Sequence, residues 1–241
     1  MVKKKIGILD SGIGGLSVLK ELDDSIHNKR LIYMGDNNNA PYGNKGRKEL
    51  WSLTLNNLFI LKEFELDCLV LGCNTLSVNF LHRIQDFLGI KVFGVFPPVE
   101  REIIENKNSI LICTLSTANA YRNMKNISVC GLANLARDIE DNCFTLNSID
   151  LNSHFSKIKR GKEPFKRVIL GCTHYNLIKK AIYNHFQPQK IISGVELTVK
   201  EVLSYYESRE KLENFCKNEI QFIGDCARKN REFFFKVVKN I

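Results

Sequence analysis

Two cysteines in matched surroundings are the residues of this chain best suited to chemistry. Cys73 follows the run Cys68-Leu69-Val70-Leu71-Gly72, and Cys172 follows Arg167-Val168-Ile169-Leu170-Gly171. Each run has the length and branched side chains of a buried strand. Small hydrogen-bonding residues come next, Asn74-Thr75 in one copy and Thr173-His174 in the other, and a helical pattern follows the first. Both thiols are therefore expected at the carboxyl end of a strand, the edge where open α/β sheets bind ligands. A thiol at a helix start meets unpaired N–H groups that favour the thiolate, which predicts a pKa below the free value of about 8.5. Two such thiols across one cavity suit stereoinversion, one removing a proton from carbon while the other delivers one to the opposite face. The plainer reading makes both of them small buried hydrophobes. No two cysteines have CxxC spacing, and the histidines form no ligand pattern, so no metal site is expected.

The elements that must position these thiols follow from periodicity. Lys5 to Leu9 reads as a strand, Asp10-Ser11-Gly12-Ile13-Gly14-Gly15 as a turn, and Leu16, Leu19 and Leu22 as one face of a helix. The turn completes neither GxGxxG nor a P-loop, which argues against a dinucleotide. Its N–H groups beside a carboxylate and a hydroxyl suit a ligand with both a carboxylate and an ammonium. A strand at Leu31 to Met34 leads to a loop that presents Tyr42 between Pro41 and Gly43, and Trp51, Leu55, Leu58 and Phe59 mark a core-facing helix. Further strands are predicted at Lys91 to Val95, Ile110 to Cys113, Ile127 to Cys130, Val168 to Leu170, Ile191-Ile192 and Gln221 to Ile223. Thr114 to Asn119 is a hydroxyl-rich turn, and Pro97-Pro98 ends the first unit. The expected fold is α/β: two similar doubly wound domains with mainly parallel sheets facing across a central cleft. The expected division is 1–96, carrying Asp10 and Cys73; 97–192, carrying Cys172; and 193–241, returning to the first domain.

The 241 residues, 44% of them apolar, are ample for a packed core. Eight scattered cysteines fit a reducing cytosol better than a disulfide framework. Met-Val-Lys-Lys-Lys imitates the start of a signal peptide, but Asp10 interrupts the apolar run that follows, so no export is implied. No apolar stretch is long enough to span a membrane. A net charge of +9 permits binding to nucleic acid, yet the basic stretch Lys157 to Arg167 has one aromatic residue and reads as a solvated loop.

Asp10-Ser11-Gly12-x-Gly14-Gly15, Pro41-Tyr42-Gly43, Gly72-Cys73-Asn74-Thr75 and Gly171-Cys172-Thr173-His174-Tyr175 occur in that order. With these four motifs the chain resembles the glutamate racemases of the aspartate/glutamate racemase superfamily. The resemblance implies a cytoplasmic enzyme, without pyridoxal phosphate or metal, that converts L-glutamate to D-glutamate for peptidoglycan, usually as a homodimer. It implies Cys73 and Cys172 as the two acid/base catalysts, with Asp10 and His174 as their polar assistants. Ser11, Tyr42, Gly43, Asn74, Thr75, Thr117 and Thr173 would hold the amino acid.

The chain departs from the family pattern in three places. Leu76 to Phe80 is bulkier than the usual small-residue run, and the hydroxyl-rich turn from Thr114 to Tyr121 is shorter by two residues. The Cys-Pro-x-x-x-Pro-hydrophobic-x-Glu segment has lost both prolines, so either Asp138 or Glu140 replaces its carboxylate, with Glu140 favoured. An aspartate or other amino-acid racemase, and a non-catalytic basic binding protein on the same scaffold, are the competing readings.

Overall fold

The structure, a computed structural model, describes residues 3–100, 108–125, 127–156, 158, 164–207 and 216–241. The first half alternates β1 (Lys4–Asp10), α1 (Leu16–Ser25), β2 (Lys29–Gly35), α2 (Arg47–Lys62), β3 (Cys68–Leu71), α3 (Asn74–Leu88) and β4 (Lys91–Gly94). The second half contains β5 (Ser109–Cys113), α4 (Leu115–Tyr121), β6 (Ser128–Gly131), α5 (Leu135–Asp141), α6 (Leu151–Phe155), β7 (Arg167–Gly171), α7 (Lys179–Phe186) and β8 (Lys190–Ser193). α8 (Val195–Glu207), β9 (Glu219–Ile223) and α9 (Ala227–Lys236) complete the described elements.

The strands form two sheets, ordered β4-β3-β1-β2-β9 and β6-β5-β7-β8, and every pairing is parallel. The strands lie where apolar runs rich in branched side chains predict them, with ends displaced by two residues or fewer. β1 and β3 are buried on both faces, which is why they read as continuous apolar runs. Leu16, Val18, Leu19 and Leu22 bury one side of α1, each worth roughly 1.5–3 kcal/mol of transfer free energy. α8 packs on α1 and β4, and β9 pairs with β2, so the end of the chain returns to the first sheet.

One helix face differs from its prediction. Phe59 is 57% exposed, and α2 instead buries Leu50, Thr54, Asn57, Leu58 and Leu61. The helix is rotated by about one position because two of its inward residues are polar and satisfied. Thr54 Oγ1 donates to the Leu50 carbonyl at 2.6 Å, and Asn57 reaches the loop beneath Tyr42. Hydropathy alone turns such residues outward.

Most of the basic stretch from Lys157 falls outside the described residues. Among the described residues no helix is long and apolar enough to cross a membrane, and no group of His, Cys, Asp and Glu could hold a metal ion.

Candidate active site

The carboxyl ends of four strands supply the site. β1 ends at Asp10 and runs into Ser11, and β3 leads through Gly72 to Cys73 at the start of α3. β5 leads to Thr114, and β7 leads to Cys172 at the start of a 3-10 turn, Thr173–Ile178, rather than an α-helix. The two thiols line one enclosed space. Ser11, Tyr42, Gly43, Asn74 and Thr75 line it from the first half, and Thr114, Thr173 and His174 from the second. Its free volume is about 10 Å³, room for roughly one water, so the two halves are closed on each other.

Burial pushes the Cys73 thiol up to about 12, helped by the Asp10 carboxylate and the Cys172 sulfur. The Leu76 N–H and the Ser11 hydroxyl, 3.8 Å from the sulfur, pull the other way and lose. The expected depression of this pKa by the helix start is therefore overturned in the closed site. Complete desolvation of a thiolate outweighs the field of one helix terminus.

Cys172 has a different neighbour. Its sulfur lies 3.9 Å from His174 Nδ1, and His174 Nε2 lies 2.9 Å from Glu140 Oε2. Burial alone would lower the histidine pKa, but its bonds to Cys172 and Glu140 raise it well above the usual value. Glu140 shows the converse. Burial would raise it, and hydrogen bonds from His174, the Ile13 N–H and Asn37 hold it below the usual carboxylate range. Of the two carboxylates left open by sequence, Glu140 reaches the histidine, whereas Asp138 lies at the surface 2.8 Å from His154.

Asp10 stands behind the lining. Its Oδ1 accepts the Gly12 N–H at 2.8 Å, and its Oδ2 accepts the Thr173 hydroxyl of the other half at 3.1 Å. Burial raises its pKa despite the nearby imidazole. Tyr42 is packed rather than presented, only 1% exposed, and donates its hydroxyl to Asp36 Oδ2 at 2.5 Å while accepting from Asn57 at 3.0 Å.

Asn74 is tied to the Val95 carbonyl at 3.0 Å. Thr75 and Thr114 bring their hydroxyls within 3.1 Å across the cleft. Thr117 does not line the space; it is buried behind Thr114, whose hydroxyl donates to it at 3.2 Å. The hydroxyl-rich turn that begins at Thr114 is thus a ligand edge, and Thr114, the hydroxyl directly after the strand, is the residue of it that faces the space.

Closure also needs glycine at positions 12 and 14. A Cβ on Gly12 would stand 2.2 Å from Glu140 Oε2, and one on Gly14 would stand 2.4 Å from His174 Nδ1 and 2.7 Å from its backbone nitrogen. Close approach of the two halves, not turn conformation, requires glycine at both.

Two parallel α/β units closing their carboxyl edges on a pair of thiols, one beside a carboxylate and one beside an ion-paired histidine, define a protein of the amino-acid racemase class. No protein-family model matches the chain. It is 32% identical over 218 residues to glutamate racemase of Staphylococcus aureus (strain JH9), covering 83% of this chain and 81% of that protein. The crystal structure of glutamate racemase from Campylobacter jejuni subsp. jejuni superimposes with a TM-score of 0.77 at 25% identity, over 98% of both chains. That of Francisella tularensis subsp. tularensis SCHU S4 glutamate racemase in complex with D-glutamate gives 0.75 at 25% identity, over 97% of this chain and 94% of that one. The chain belongs to the glutamate racemase family.

Proposed function

We propose that this protein interconverts L- and D-glutamate by proton transfer between two thiols, Cys73 and Cys172, without a cofactor. The observation that carries the reading is that both sulfurs line one enclosed space, each beside its own polar assistant. One cysteine, as thiolate, takes the α-proton while the C–H electron pair passes to the α-carbon and carboxylate. The other, as thiol, gives its proton to the opposite face, and the thiol and thiolate roles are exchanged. Nδ1 of the protonated His174 faces the Cys172 sulfur, and Asp10 serves the Cys73 side.

The charge that builds on the substrate carboxylate calls for fixed donors in a dry site. Ser11, Asn74, Thr75, Thr114 and Thr173, with the backbone at Tyr42-Gly43, are suited to hold the amino acid, and Thr117 supports Thr114. A space of about 10 Å³ admits no amino acid, so the halves part to bind and close to react. The division into 1–96, 97–192 and 193–241 fits that motion, since the chain crosses between sheets near Pro97 and Gly194.

We assign the product to peptidoglycan synthesis in the cytoplasm and the working form to a homodimer, for which exposed Phe59 and Ile60 offer apolar surface. The deciding experiment incubates the protein with L- or D-glutamate in D2O and follows α-deuterium uptake and loss of optical rotation, with aspartate in parallel. Exchange and racemisation of glutamate are expected. Exchange of aspartate alone would move the specificity, and no exchange of either would refute the reading.

A further inference from the structure

Glu140 is the ion-pair partner of His174 in the second half, yet two of its donors come from the first half. Ile13 N–H donates to Oε2 at 2.9 Å, and the Asn37 amide donates to Oε1 at 2.5 Å. Asn37 lies in the turn after β2, and its own orientation is set from α9, where Asn230 Nδ2 donates to Asn37 Oδ1 at 2.8 Å. That bond leaves the Asn37 NH2 group directed at the carboxylate. A continuous chain thus runs Asn230, Asn37, Glu140, His174, Cys172, beginning in the first half and ending at the thiol of the second. Asn37 does not line the site and touches neither sulfur.

We propose that Asn37 is a positioning residue for the second thiol: it fixes the Glu140 carboxylate against His174 and so keeps the imidazole aimed at the Cys172 sulfur. The arrangement has a physical rationale. A carboxylate buried to 4% exposure needs donors on both oxygens, and Oε1 faces Asn37 and the more distant Lys229 Nζ, at 3.6 Å. Among the described residues nothing else reaches Oε1, so without the amide it is undersolvated and Glu140 can rotate toward Lys229, taking its bond to His174 with it. Because the amide arrives from the opposite half, the second thiol's support is complete only when the two halves are together. On the Cys73 side, Ser11 and Asp10 lie on that thiol's own half, and Asp10 takes one of its two donors, the Thr173 hydroxyl, from the other.

This inference rests on the two-thiol reading, and its test separates the two. The equilibrium constant between enantiomers is one, so kcat/KM must fall equally in both directions in any variant. Substrate isotope effects need not. When transfer at Cys172 is impaired, α-deuterated substrate whose deuteron Cys172 removes shows a larger isotope effect on kcat/KM. The other enantiomer shows a smaller one, because delivery of a solvent-derived proton by Cys172 then limits the reaction. Asn37→Asp, isosteric and, assayed at alkaline pH where both carboxyls are ionised, unable to donate, is expected to lower kcat/KM about 10- to 100-fold, the worth of a hydrogen bond to a charged group. Relative to wild type it should widen the difference between the two isotope effects.

Asn37→Ala should act in the same sense. Ser11→Ala, on the Cys73 side, should shift the difference the opposite way, and Asn38→Ala, an exposed neighbour in the same turn, should leave it as in wild type. A loss of activity in Asn37→Asp and Asn37→Ala with both isotope effects unchanged or moved equally would assign Asn37 a merely structural role and overturn the proposal. So would unaltered kinetics. If the wild type itself exchanges no α-proton of glutamate, it is the function reading that fails.

Discussion

Replacing Glu140 with glutamine is the most direct probe of the buried ion pair. The carboxylate receives Ile13 N–H and His174 Nε2 on one oxygen, each at 2.9 Å, and the Asn37 amide at 2.5 Å on the other. A glutamine offers one oxygen and one NH2 group, so in either orientation a donor faces a donor. One charge-assisted hydrogen bond is lost, at about 1.5–3 kcal/mol, and one buried donor is left unpaired, at about 1–3 kcal/mol. Together these put the cost at about 3–6 kcal/mol, a fall in Tm of roughly 6–24 °C for a chain of this length.

The pH dependence carries the diagnosis. The raised pKa of His174 means that its contribution is complete below the ordinary value of 6.5 and fades as pH rises through the folded value. The lowered pKa of Glu140 means that its contribution is complete above 4.5 and fades as pH falls through the folded value. The pair therefore stabilises most between pH 4.5 and 6.5. Denaturant unfolding of wild type and Glu140→Gln from about pH 5 to 9 should show the largest gap at the acid end. The gap should narrow above 6.5 by at most about 1.4 kcal/mol per pH unit. A gap below about 1 kcal/mol that stays flat over that range would mean that His174 is not ion-paired, and the electrostatic reading of the Cys172 side would fall with it.

Three other outcomes follow from the same geometry. Cys73→Ser and Cys172→Ser should each abolish racemisation while retaining proton chemistry on one enantiomer, opposite in the two variants; equal residual exchange of both enantiomers would contradict transfer from two faces. Gly14→Ala, whose Cβ would stand 2.7 Å from the His174 backbone nitrogen, should cost about 100-fold in kcat/KM with an unchanged circular dichroism spectrum, because closure is blocked and not folding; near-normal turnover would show that closure is dispensable. Thiolate absorbance near 240 nm in the ligand-free protein should have no Cys73 component until pH approaches about 12, and a step near neutrality that disappears in Cys73→Ala would refute the dominance of burial.

Local sequence determines much of this molecule. The strands at Lys4–Asp10, Cys68–Leu71 and Arg167–Gly171 are legible because a strand buried on both faces must be apolar throughout, and Gly-Cys after such a run marks its carboxyl edge. Ser11, Tyr42, Asn74, Thr75, Thr173 and His174, which the resemblance implies as site residues, are all short-range neighbours of a strand end or turn, and all of them line the enclosed space. What it cannot supply is any property that depends on the other half of the chain.

The direction of the Cys73 pKa shift is one such property, since a helix start is visible in sequence but complete burial beneath a second domain is not. The choice of Glu140 over Asp138 is another. Two residues apart on a short helix they point to different sides, and only the packed structure turns Glu140 toward Ile13, Asn37 and His174. Asn57, polar on a buried face, and Thr114, which displaces Thr117 from the lining, were decided in the same way. Periodicity reports which side of an element is apolar, whereas a site built from two closing edges is defined by distances between residues more than a hundred positions apart, such as Ile13 and Glu140.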